Sequence, residues 1–118
     1  RAKARPFKGN GLVATVPPGW SAKIDKNTVV FTADDESAGI VASLLPLPSD
    51  KYKDFEAFSK KFAKQLGGSN IRSAEGMVEF QTKDATGVFS QYGKKALLLM
   101  LFGETDEQVN LSSSIVPE

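Results

Sequence analysis

The chain of 118 residues contains no cysteine and no histidine. Without cysteine there are no disulfides, no thiolate nucleophile and no thiolate metal site. Without histidine there is no imidazole base, no Ser-His triad and no conventional zinc site. Tryptophan occurs once, at Trp20. Long apolar runs are missing too. The longest, Ala96 to Phe102, is far short of the ~20 residues that a membrane span needs. Low complexity and internal repeats are also absent. What remains is ordinary for a water-exposed globular domain, with 41% hydrophobic and 25% charged residues.

The formal net charge of +1 hides an uneven distribution. Arg1, Lys3, Arg5 and Lys8 open the chain with no acid among them, and the remainder carries more acid than base. Residues 1–10 therefore read as a basic tail or linker, and residues 11–118 as one domain. Four charges without interleaved aromatics are a weak nucleic-acid footprint, and no nucleic-acid partner is expected. Arg1 in place of Met implies that an upstream segment has been removed.

Period-two patterning marks the strands. Leu12–Val16 stops at Pro17, which has no N–H for a ladder. Trp20–Ile24, Thr28–Ala33 and Gly39–Leu45 follow, separated by Asp25-Lys26-Asn27 and by Asp34-Asp35-Glu36-Ser37. The period then changes. Phe55, Phe58, Phe62 and Leu66 recur at helical spacing, which predicts a helix over 52–66 with that stripe inward. Ser49, Asp50 and Asp54 compete as its N-cap, and Gly67-Gly68 stops it. Strands return at 70–75, 77–82 and 88–92, the last two joined by a loop over 83–87 with Gly87 at its end. Gly93-Lys94 is a two-residue turn into Ala96–Phe102. That strand is apolar on both parities, so something must cover each face of its sheet. Thr105 and Gln108 fit a capping box for a last helix, with Val109, Ser112 or Ser113, and Val116 as its inner stripe. The order of elements predicts an α+β fold: a mostly antiparallel sheet of about six strands with a helix on each face.

The short strand followed by Val16-Pro17-Pro18-Gly19-Trp20, then a strand carrying Phe31, resembles the PsbP-like superfamily of α/β/α sandwiches, which includes the DcrB-like bacterial exported proteins. The resemblance spans Gly11 to Val116. It implies an exported protein of the periplasm or cell envelope, and in the lipoprotein branch a lipid-bearing cysteine upstream of Arg1. It carries no catalytic motif onto this chain, since fold likeness does not carry function.

Carboxylates are the remaining catalytic currency. Asp34, Asp35, Glu36, Glu75, Glu79, Asp84, Glu104, Asp106 and Glu107 all fall in turns, polar strand faces or a helix start, where carboxylates are normally solvated. Asp34-Asp35-Glu36 lacks the spacing of a calcium loop. No catalytic residue, cofactor or metal is assigned. Two surfaces are candidates for a partner: Trp20 with Asp34, Asp35 and Glu36, and the lysine face of the first helix at Lys60 and Lys64. Trp20 fits either a ligand cleft or a core plug, and the plug is the favoured reading. The function expected is non-enzymatic binding of a protein partner, or assistance to an envelope complex. The alternative is a small-molecule-binding or carboxylate-using domain with a cleft near Trp20.

Overall fold

A computed structural model of the chain describes residues 3–118. Its elements are β1 (Arg5–Gly9), β2 (Leu12–Val16), β3 (Trp20–Asp25), β4 (Thr28–Ala33), β5 (Gly39–Pro46), α1 (Tyr52–Gln65), β6 (Ser69–Ala74), β7 (Met77–Gln81), β8 (Thr86–Tyr92), β9 (Lys95–Phe102), α2 (Asp106–Ser114) and β10 (Val116–Pro117). The expected α+β class holds. The single sheet of about six strands does not: there are seven strands in the order β3-β4-β5-β9-β8-β7-β6 and a separate sheet of three, β1-β2-β10. Every pairing is antiparallel.

Two prolines cause the split. Pro17-Pro18-Gly19-Trp20 is a tight turn, with Trp20 N–H donating to Pro17 C=O at 3.3 Å and Gly19 at φ 82, the positive φ that a type II turn requires. β2 cannot run on through it, so it leaves the larger sheet and pairs elsewhere. Its partner is β1, inside the expected tail. Arg5–Gly9 pairs with β2 along its whole length, so for these residues the tail reading is corrected; Arg1 and Ala2 lie outside the described residues. The cause is Asn10-Gly11, with both φ positive at 51 and 78, a type I′ hairpin turn. Phe7 then anchors the strand edge-on against Phe31, with ring centroids 5.6 Å apart.

β9 lies at the middle of the large sheet. Leu97, Leu99 and Leu101 face a cluster built on Leu12, Val16, Trp20, Phe31 and Leu111. Ala96, Leu98 and Met100 face another built on Phe55, Ala63, Val78, Phe80 and Phe89. The doubly apolar run is thus used on both parities, as expected of a central strand.

The bounds of α1 agree with the sequence pattern but its cap does not, the cap of α2 agrees, and the inner face of each helix differs from the expected stripe. In α1 the fully buried residues are Phe55, Ser59 and Ala63. Phe58 and Phe62 are half-buried, and Leu66 is 42% exposed. Small side chains at 59 and 63 let the helix sit close to the sheet, and the larger rings flank that contact. None of the three N-cap candidates is used: Lys51 holds the position without a side-chain bond, while Ser49 Oγ donates to Asp54 at 2.5 Å. In α2, Thr105 Oγ1 accepts from Gln108 N–H at 3.1 Å, as the cap signature implies. The Gln108 amide does not reach back; it donates to Phe102 C=O at 2.8 Å and Gly39 C=O at 3.1 Å. The inner stripe is Gln108, Leu111 and Ile115, and Val109 is 61% exposed. Gly87 belongs to β8 rather than to a loop. It lies opposite Phe80, whose ring occupies the space a Cβ would need.

Candidate binding surface at the acidic loop end

β4, β7 and β9 run in one direction through the large sheet, so the segments after them meet at one end. These are residues 34–38, 82–85 and 103–105. Gly103, at φ 75, sits so close to Ser37 C=O that a side chain there has no room. That contact locks the first and third segments together. The three segments and the first turn of α2 carry Asp34, Asp35, Glu36, Asp84, Glu104, Asp106 and Glu107, with Lys83 as the single base.

Three open clefts meet around Gly103. One, of about 390 Å³, is lined by Glu36, Ser37, Val41 and Phe102. A second, of about 490 Å³, is lined by Lys83, Asp84, Thr86, Leu101 and Glu104. The third, of about 470 Å³, runs past Leu101 and Glu104 to Asp106 and Val109. The first and third have an apolar floor, the second is lined mainly by polar groups, and acids rim all three. Sequence reasoning singled out Asp34–Glu36 but not Gly103, Phe102 or Val109. The signal was the unpartnered apolar residue at 109, read as core.

Trp20 and Asp34 are neighbours, as expected. Asp34 N–H donates to Gly19 C=O at 2.8 Å, and Ser21 Oγ donates to Asp34 Oδ1 at 3.0 Å. The indole is nevertheless in the core, 4% exposed, and lines none of these clefts. Arg5 Nη2 donates to Trp20 C=O at 2.5 Å and ties β1 to this corner. Asp35 and Glu36 are exposed. The Ser37 hydroxyl, and then its backbone N–H, hold Asp35 below the usual carboxylate range. Its share of stability is present above that range and is lost as pH falls through the lowered value.

Lys60 and Lys64 stand apart on α1. Lys60 pairs with Glu56 at 3.3 Å, and Lys64 is exposed in the last turn. The Ser73 hydroxyl and, after it, Lys60 hold Glu56 below its ordinary value. Of the sequence's candidate acids, Glu79 alone is half-buried, paired with Arg72 at 3.1 Å; the others are exposed. Among the described residues no group of three His, Cys, Asp or Glu side chains could hold a metal ion. Solvated carboxylates beside partly apolar clefts suit charge attraction and docking.

The fold and this end define an antiparallel α+β domain with an acidic, cleft-bearing loop surface. No protein-family model and no curated protein matches the sequence. Two solved structures match the fold. One is a crystal structure from Bacteroides thetaiotaomicron VPI-5482, with TM-score 0.63, 12% identity, and coverage of 99% of this chain and 49% of that one. The other is the solution structure of cyanobacterial PsbP (CyanoP) from Synechocystis sp. PCC 6803, with TM-score 0.60, 16% identity, and coverage of 100% of this chain and 94% of that one. The chain therefore spans about half the length of the Bacteroides protein and nearly all of the cyanobacterial one. Its fold is PsbP-like.

Proposed function

We propose that this is a non-enzymatic, exported domain of the periplasm or cell envelope that binds a protein partner through the acidic loop end. The observation that carries the reading is the meeting at Gly103 of three acid-rimmed clefts, two of them with an apolar floor. The partner that fits is a cationic segment bearing apolar side chains, drawn in by charge and held by Val109, Leu101 and Phe102. In this reading the large sheet lies between α1 on one face and α2 with the small sheet on the other, which leaves the loop end free. Export rests on the fold likeness. Among the described residues no helix is long and apolar enough to cross a membrane.

A synthetic peptide of alternating lysine and leucine, titrated by fluorescence anisotropy, tests the site. Glu104→Gln with Asp106→Gln should weaken binding several-fold, because exposed charge pairs contribute roughly 0.2–1 kcal/mol each. Val109→Asp should weaken it further, and added salt should weaken it too. Lys60→Glu with Lys64→Glu should leave it unchanged. Affinity indifferent to the first two variants would refute the assignment to this end. The alternative of a small-molecule cleft beside Trp20 has no support from the indole's burial.

A further inference from the structure

The opposite end of the large sheet gathers a cluster of lysines. There the connection from β5 to α1 is clamped onto the β8–β9 turn. Leu47 N–H donates to Lys94 C=O at 2.7 Å. Gln91 Nε2 donates to Asp50 C=O at 2.9 Å and to Gly93 C=O at 3.2 Å. The clamp brings Lys51 and Lys53 at the start of α1 together with Lys94 and Lys95 at the hairpin tip. All four are exposed, and among the described residues none forms an ion pair. The acids at this end are Asp25 and Glu75, at the β3–β4 and β6–β7 turns, and Asp50 and Asp54 beside the clamp, where Asp54 accepts a bond from Ser49.

Two tyrosines share this end. Tyr52 is 41% and Tyr92 40% exposed. Tyr52 leans on Phe55 with ring centroids 5.8 Å apart, so its ring is braced from behind. Tyr92 lies opposite Lys95 across the hairpin, on the sheet side facing Leu97 rather than α1. The two rings therefore flank the end from opposite sides of the sheet.

We propose that this end docks on an anionic lipid surface. Lysine and tyrosine both pair an apolar stem or ring with a polar tip, and both suit the headgroup level of a bilayer. A lysine near an anionic leaflet contributes about 1 kcal/mol, roughly fivefold in partitioning. A nucleic-acid strand would need a basic groove that tracks its backbone. The cleft at this end, lined by Asn10, Asn27, Ser43 and Pro46, carries no lysine. The four cations are also all lysines. They act as point charges toward a diffuse anionic surface and lack the arginine fork that reads a particular phosphate. The inference is independent of the acidic loop end, which lies at the far side of the sheet.

Flotation with vesicles tests it, using phosphatidylcholine alone and phosphatidylcholine mixed with phosphatidylglycerol. The protein should float with the mixed vesicles and not with the neutral ones, less so as salt rises. Lys94→Gln with Lys95→Gln should lower the partition coefficient roughly 25-fold. Tyr52→Ser with Tyr92→Ser should lower it at unchanged charge, whereas Lys60→Gln with Lys64→Gln should have little effect. A thermal melt checks that each variant is folded. Equal flotation with neutral vesicles, no flotation with either, or Lys60/Lys64 losses matching those at Lys94/Lys95 would overturn the proposal. So would tight binding of a single-stranded oligonucleotide by a protein that ignores the mixed vesicles.

Discussion

Phe55 is the residue on which α1 turns. Its ring is wholly buried, while Phe58 and Phe62 keep part of their surface in water. Phe55→Ala should therefore cost about 3–5 kcal/mol, and Phe58→Ala nearer to about 1 kcal/mol. Urea melts of the two variants check the ranking, and equal losses would contradict the assigned face. The sequence pattern located this helix because three phenylalanines recur at its period. It mislocated the face because Ser59 and Ala63 do not look apolar or bulky. Small residues are what a close helix–sheet contact needs, and their meaning shows only when the opposing surface is known. Ser59 Oγ is buried there without a hydrogen-bond partner. Trp20 was legible as a core residue for the converse reason, since a large ring advertises the apolar area that it buries.

Among the elements, β1 was the one hidden in the sequence. Four early cations suggested a solvated arm, and the Asn10-Gly11 turn signal went unread beside the apolar Phe7. The strand is held by its ladder to β2, by the Phe7–Phe31 contact and by Lys8 Nζ, 2.6 Å from Glu118. Removing residues 1–9 should consequently destabilise the fold by at least about 2 kcal/mol, since it exposes apolar surface on β2 and Phe31. Phe7→Ser in the full chain should reproduce part of that loss. An unchanged melting temperature in both would mean that the strand adds nothing to stability. α2 shows the opposite balance. Thr105 was legible because a cap needs one side chain at one place. The stripe was not, because Gln108 is buried by two backbone acceptors, a reason invisible in a hydropathy pattern.

At the scale of the whole molecule, β9 joins two cores. Its alternate residues belong to different clusters, so neither cluster can loosen alone without disturbing the strand they share. Phe55 lies in one cluster and Trp20 in the other. Phe55→Ala should shift the Trp20 fluorescence midpoint in urea as far as it shifts the far-UV circular dichroism midpoint, as two-state unfolding requires. Separate midpoints would show that the halves melt independently. The two charged ends were only partly legible. The acids of 34–36, 84 and 104–107 and the lysines of 51, 53, 94 and 95 are plain in the sequence. Their sorting to opposite ends follows from strand direction, which composition does not carry, and a net charge near zero conceals it.

The small sheet also sets an order in time. β2, near the start of the chain, has its second edge closed by β10 near residue 117. Ser114 Oγ reaches Thr15 N–H across 99 positions. Residues 52–102, by contrast, hold α1 and the four strands β6 to β9, paired with near neighbours in sequence. As the chain leaves the ribosome, that half can assemble from local contacts, whereas β2 keeps its second edge open until residues 114–117 have emerged.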